Sequence, residues 1–169
     1  MPAAKKATRT RRPEAEAPDA AESLQYPVHR SAGYLIRDIH RGLSQVLDRK
    51  INEHGVTIGM WFFLRVLWDE DGLTQRELCR RVRMSEPTAV VALRAMEKRG
   101  LIGRLEDTED RRKVYIVLAP KARRLRAELM PMVKDLNRQL LAGFSPKEVE
   151  VLLDMLVRAR DNLERMETS

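Results

Sequence analysis

Apolar residues recur at helical spacing over the first two patterned segments of the chain. Over residues 32–51 they stand three and four positions apart, which predicts an amphipathic helix that Gly55 brings to an end. Residues 58–68 are apolar on nearly every side, and Thr57 is placed to cap the N-terminus of a second helix. We therefore expect the first helix to bury one stripe and the second to be buried on most sides.

Two short helices joined by a tight turn are predicted next. Thr74 begins the first of them, with Glu77 at the capping-box position, and the chain breaks at residues 83–84. Ser85 is the N-cap candidate of the second, which covers residues 86–99. Such a pair of helices is typical of a helix-turn-helix.

The pattern then changes to a β-hairpin and returns to helix. Residues 101–106 and 114–118 are strand-like, with the polar loop 107–112 between them. Two further helices are predicted over residues 120–141 and 145–166. The fold class that these elements indicate is mainly α with a small β-hairpin wing, that is, a winged helix-turn-helix.

The flanking helices indicate how the chain is organised. The chain between these helices is too short to cover their apolar stripes completely. Apolar surfaces that stay exposed in this way usually pack against a second copy of the chain. We predict a homodimer in which N- and C-terminal dimerisation helices flank the winged helix-turn-helix. The predicted segments are a disordered tail at residues 1–24, an N-terminal dimerisation helix at 25–56, the DNA-binding domain at 57–119 and C-terminal dimerisation helices at 120–169.

Charge and composition point to a polyanionic partner. The chain has 32 Lys and Arg against 25 Asp and Glu, a net charge of +7, so nucleic acid is the first candidate. The single cysteine, Cys79, excludes an internal disulfide framework and a cysteine-built zinc site. No stretch has the length and hydropathy of a membrane span, and no secretion signal follows the basic N-terminus, so we expect a cytoplasmic protein.

Several segments resemble the MarR family of bacterial transcription regulators, over about residues 29–166. The specific part lies at residues 73–78, 85–88, 96–102 and 107–118. The family's wing pattern, Asp-x-Arg-x-x-x-Val-x-Leu-Thr, is matched by Asp110, Arg112, Ile116 and Leu118, with Ala119 where Thr is common; Met96 stands where Leu is usual. The resemblance implies a DNA-binding transcription regulator.

The second helix of the helix-turn-helix would read DNA with its outer face. Ala89, Ala92, Leu93 and Met96 share the inner face, which leaves Val90 and Val91 to meet thymine methyl groups and Arg94 to meet guanine. The alternative is that Val91 completes the core and Arg94 is solvated. The predicted DNA-contacting residues of this region are Ser85, Glu86, Pro87, Thr88, Val91, Arg94 and Lys98, with Arg76 and Arg83, and their neighbours Arg80, Arg81 and Arg104, as phosphate contacts.

The hairpin tip carries two adjacent arginines. Arg111 and Arg112 can enter a narrow A/T-rich minor groove, and Asp110 would orient Arg112 by a charge-assisted hydrogen bond. The alternative is an ordinary charged turn.

The resemblance also implies an effector, because many family members release DNA when a small aromatic anion enters a crevice beside the dimerisation helices. The sequence shows no cofactor motif, and the expected effector is an aromatic carboxylate or its coenzyme A thioester. The candidate ligand-binding residues are Arg30, Tyr34, Arg37, Met60 and Trp61, although Met60 and Trp61 also suit the core and Arg37 a dimer contact. Redox sensing by Cys79 and metal binding by His40 and His54 are less favoured, because Cys79 suits a small buried position and the histidines lack clustered partners.

No enzyme motif is visible, since the chain lacks a nucleophile with its base, a metal cluster and a glycine-rich phosphate loop. The expected function is a repressor on a pseudo-palindromic site. The alternatives are a DNA-binding regulator without a ligand and a winged-helix module used for protein contacts. Salt dependence distinguishes the protein-contact module from a DNA-binding protein, because phosphate contacts weaken steeply with salt and apolar interfaces do not.

Overall fold

The computed structural model describes residues 27–110 and 113–168, which divide into two compact units after Gly42. The predicted disordered tail at residues 1–24 and the wing residues Arg111 and Arg112 lie outside the described residues. After a short 3-10 helix, Val28–Arg30, the elements are α1 (Ala32–Asn52), α2 (Ile58–Asp69), β1 (Leu73–Thr74), α3 (Gln75–Val82), α4 (Glu86–Lys98), β2 (Ile102–Glu106), β3 (Val114–Leu118), α5 (Pro120–Leu140) and α6 (Pro146–Glu167).

The helix boundaries follow the capping residues that the sequence contains. The hydroxyl oxygen of Thr57 accepts a hydrogen bond from the N–H of Met60, and Thr74 and Ser145 each form a capping box with the glutamate three residues on. Gly55 has a φ of +72°, which a glycine adopts without steric cost. The predicted helices are confirmed, and the predicted domain boundaries fall between α1 and α2 and between β3 and α5.

The sheet has a third strand that the sequence pattern did not predict. The strand order is β1-β3-β2, all antiparallel, and Leu73 and Thr74 pair with Ile116 and Tyr115. Two residues are too few to show the alternation that marks a strand, and Thr74 is also the N-cap of α3. This short strand ties the start of the helix-turn-helix to the hairpin.

The core of the second unit lies around α2. Phe63 is fully buried, as are Leu93 of α4, Ile116 of β3 and Leu129 of α5. Trp68 is also buried, and its indole N–H donates to the carbonyl oxygen of Ala122 at 2.9 Å. This packing fixes the helix-turn-helix, the hairpin and α5 to one another. Among the described residues, every helix is too short or too polar to cross a membrane.

Candidate nucleic-acid interface

The turn of the helix-turn-helix is closed by a residue in the left-handed conformation. Arg83 has φ and ψ of 53° and 44°, and its N–H is bonded to carbonyl oxygens in the last turn of α3. The N–H of Met84 donates to the carbonyl oxygen of Cys79 at 3.0 Å. The chain therefore reverses over two residues and α4 can start directly after Ser85.

The inner face of helix α4 is buried and its outer face is exposed to solvent. Ala89, Leu93 and Met96 have no exposed surface, so the predicted inner face is confirmed, with Ala92 half-buried at its edge. Val91 is 70% exposed, so it does not complete the core. All of the predicted DNA-contacting side chains of α4 and its N-cap are exposed, namely those of Ser85, Glu86, Pro87, Thr88, Val91, Arg94 and Lys98. Val90, the other valine predicted to meet thymine, is half-buried.

Ser85 occupies the N-cap position but does not act as a side-chain cap. Its hydroxyl makes no bond to a backbone N–H of α4. Instead, the Ser85 Oγ lies 2.9 Å from the Oγ1 of Thr88, and both residues are exposed. The two hydroxyls thus form a polar pair at the N-terminal end of the predicted reading helix, where base edges and phosphates would be met.

A cationic groove lies beside the turn. It has a volume of about 710 Å³, and the side chains of Arg76, Arg80 and Arg83 line it together with those of Glu77 and Glu86. Guanidinium groups gathered in this way are suited to successive phosphates. The structure thus brings Arg76 and Arg83, two of the predicted phosphate contacts, to one surface.

Two further arginines of the predicted phosphate-contacting set already have acidic partners. Arg81 Nη1 lies 2.6 Å from Glu70 Oε2, and Arg104 Nε lies 3.3 Å from Glu97 Oε2. Both pairs are exposed, where such contacts are weak and a phosphate can replace the carboxylate.

The base of the wing is organised by Asp107, which was not among the predicted site residues. Its Oδ1 accepts the backbone N–H groups of Glu109 at 2.8 Å and Asp110 at 2.9 Å, and its Oδ2 accepts the hydroxyl of Tyr115 at 3.0 Å. The N–H of Lys113 donates to the carbonyl oxygen of Asp110 at 2.8 Å. An aspartate followed by polar turn residues is the sequence signal for such a turn.

These hydrogen bonds shift the titration of the wing base. The N–H groups of Asp110 and Glu109, followed by the Tyr115 hydroxyl, hold the pKa of the Asp107 carboxyl below its usual value. The same contact raises the pKa of Tyr115, because ionisation would remove the proton that its hydroxyl donates to Asp107 and would place two negative charges together. The charged form of Asp107 is therefore the one that supports the wing.

Replacing Asp107 with alanine is expected to loosen the wing base. The amide protons of Glu109 and Asp110 should exchange with solvent at least about tenfold faster, measured by NMR, while a Thr108→Ala control should leave them unchanged. In the wild type, the stabilisation is present at pH values above the unfolded pKa of the aspartate and is lost as the pH falls through its lower folded pKa. Loss of protection near the usual pKa of an aspartate would contradict this assignment.

The predicted ligand-binding residues fall in different units. Arg30, Tyr34 and Arg37 are exposed in the first unit, where the Arg37 guanidinium lies 4.6 Å from the centre of the Tyr34 ring. Met60 and Trp61 are buried in the core of the second unit. This burial agrees with the alternative interpretation of these two residues as core residues.

Other sensing chemistries find little support among the described residues. Cys79 is buried, and burial raises the pKa of its thiol, which disfavours the reactive thiolate. Within the described ranges, no group of three or more His, Cys, Asp and Glu side chains could hold a metal ion.

Comparison with known proteins identifies the family. A model of the MarR family matches residues 56–114. The structure of the transcriptional regulator PA3341 is 32% identical, with a TM-score of 0.72, and the match covers 80% of this chain and 99% of that one. The chain belongs to the MarR family. Members of the MarR family are transcription regulators and not enzymes, so the expectation of a non-enzymatic, DNA-binding transcription regulator is confirmed.

Two further relatives have names that describe a repressor and a complex with DNA. The homoprotocatechuate degradative operon repressor of Escherichia coli is 26% identical over 106 residues, which are 63% of this chain and 72% of the repressor. The crystal structure of the S. aureus MepR–DNA complex is 25% identical with a TM-score of 0.70, and the match covers 80% of this chain and 98% of that one.

Proposed function

We propose that this MarR-family regulator is a homodimeric repressor that binds a pseudo-palindromic DNA site and is released by a small aromatic anion. The observation that carries the proposal is the outer face of α4. This face exposes Val91 and Arg94 to solvent, while the inner face of the helix is buried. The groove that Arg76 and Arg83 line adjoins the turn before α4. Side chains for base readout and cations for phosphates are the two components of a DNA-reading surface.

Exposed apolar surface supports the homodimer. Helix α6 contains no buried residue in the single chain, and seven of its large apolar side chains are 43–73% exposed. In the first unit, Leu35, Ile36 and Ile39 of α1 are 43–51% exposed. Surfaces of this kind are typical of contacts between copies of a chain. The exposed apolar residues of α6 are Val151, Leu153, Met155, Leu156, Val157, Leu163 and Met166.

A relative and one side-chain pair support the effector class. The E. coli relative represses an operon for the degradation of homoprotocatechuate, which is an aromatic carboxylate. In this chain the Arg37 guanidinium stacks on Tyr34, a pairing that offers a carboxylate and an aromatic ring their preferred partners. We propose Arg30, Tyr34 and Arg37 as residues of the effector site. Met60 and Trp61 are buried in the core of the second unit.

Fluorescence anisotropy with the DNA beside the protein's own gene tests the proposal. We expect tight binding that weakens steeply between about 50 and 200 mM salt, and release by an aromatic acid or its coenzyme A thioester. Binding that no such compound disturbs would contradict the effector assignment and leave the DNA-binding role. Absence of binding at low salt would contradict the repressor function.

A further inference from the structure

An ion pair joins the last helix to the turn of the helix-turn-helix. The Arg83 Nη2 donates to the Glu164 Oε1 at 2.7 Å, and both side chains are about half exposed. Arg83 is the left-handed residue that closes the turn, so its backbone is held by hydrogen bonds to α3. Glu164 stands in the last turns of α6, which is 81 residues further along the chain. The contact is therefore tertiary and is not a local feature of the turn.

The same guanidinium lines the cationic groove. Arg83 shares this groove with Arg76 and Arg80, and the groove is the surface to which we assign phosphates. A carboxylate and a phosphate oxygen accept from the same N–H groups of a guanidinium, with similar geometry. An anion from α6 thus already occupies a donor that DNA would use.

The other acids near the groove have different surroundings. Glu77 is held in the capping box of α3, where Thr74 lowers the pKa of its carboxyl. Glu86 lies in the first turn of α4 and lines the groove itself, a position that favours a carboxylate for helix stability. Glu164 comes from a separate element, so its removal leaves the caps of the helix-turn-helix intact.

We propose that Glu164 sets the DNA affinity of this regulator by competing with a DNA phosphate for Arg83. The proposal rests on the proposed DNA-binding function of α4 and its groove. In the DNA-bound state the guanidinium turns from the carboxylate to the phosphate, and the free energy of breaking the ion pair lowers the observed affinity. Exposed ion pairs are weak, so the effect is a moderate reduction and not a block.

The variant Glu164→Gln removes the charge and keeps the shape of the side chain. We expect it to bind operator DNA about two- to tenfold more tightly than the wild type at low salt. This gain in affinity should shrink as the salt concentration rises, because salt screens the ion pair that only the wild type has to break. Sedimentation should show the same oligomeric state as the wild type, because the substitution keeps the size of the side chain and leaves the apolar residues of α6 unchanged.

Glu167→Gln is the matched control, since Glu167 is an exposed acid on the same helix and its replacement changes the net charge equally. It should leave affinity and salt slope nearly unchanged. In an Arg83→Gln background, Glu164→Gln should add nothing, because the competing donor is absent. The proposal would be overturned if the two glutamate variants changed the DNA affinity equally, or if Glu164→Gln still raised the DNA affinity in the Arg83→Gln background. If the wild type itself fails to bind DNA in a salt-dependent way, the proposed function is what fails.

Discussion

A variant carrying both Leu153→Arg and Leu156→Arg is expected to be monomeric and to bind operator DNA at least about 100-fold more weakly than the wild type. Both leucines are exposed on α6 in the single chain, at 52% and 43%. Fully burying an exposed leucine contributes about 1.5–3 kcal/mol, so the four half-exposed leucines of a dimer contribute at least about 3 kcal/mol. Buried guanidinium groups without partners would add to the loss.

The loss of DNA affinity follows from the loss of the second half-site. A dimer holds its second reading helix beside the second half-site at high effective concentration, and a monomer has no such advantage. The two substitutions also raise the net charge of each chain, which by itself favours DNA binding. A fall in affinity would therefore arise from dissociation and not from charge.

Asp154→Arg is the matched control for this variant. Asp154 is an exposed residue of α6 between the two leucines, and its replacement by arginine changes the charge by the same two units. Analytical ultracentrifugation should show a dimer for Asp154→Arg and a monomer for the leucine variant. A leucine variant that stays dimeric at micromolar concentration would show that α6 is not the dimer contact.

The elements of the fold were predictable where one residue type decides the local backbone. Thr57, Thr74 and Ser145 each mark a helix start, because a side-chain oxygen there satisfies an otherwise unpaired N–H group. Ser85 also marks a helix start, but its hydroxyl lies against that of Thr88 and makes no bond to a backbone N–H of α4. Local sequence shows that a capping group is present, but a neighbouring hydroxyl can compete for it.

Features that depend on distant pairs were not predictable from one sequence. Strand β1 forms because Leu73 pairs with Ile116 of β3. It could not be predicted, because two residues are too few to show the alternation that marks a strand. The contact of Arg83 with Glu164 depends on where α6 lies in the fold. The exposed face of α4 was predictable, since Ala89, Leu93 and Met96 recur at helical spacing and leave the other face open.

The second large effect is expected at the wing, where Arg112→Ala should cost about 1–3 kcal/mol of DNA-binding free energy, or about 5- to 150-fold in affinity. Arg112 lies outside the described residues, and the DNA contact expected of it rests on the resemblance of the wing to the MarR pattern. The structure supplies the support on either side of it. Asp107 accepts the N–H of Asp110, and the Asp110 carbonyl oxygen accepts the N–H of Lys113.

Lys113→Ala is the control, because Lys113 is an exposed cation beside Arg112 and its replacement changes the charge equally. If Lys113 binds a phosphate, this variant should bind all DNA sequences more weakly by the same factor, with a salt slope reduced by about one. A minor-groove arginine reads width and potential, so Arg112→Ala should lose most affinity on operators whose flanks are A/T-rich and little on G/C-rich flanks. Anisotropy titrations on two operators that differ only in those flanks distinguish a minor-groove contact from a phosphate contact. Equal losses for the two variants on both operators would make Arg112 a phosphate contact, and the specificity of the protein would then reside in α4.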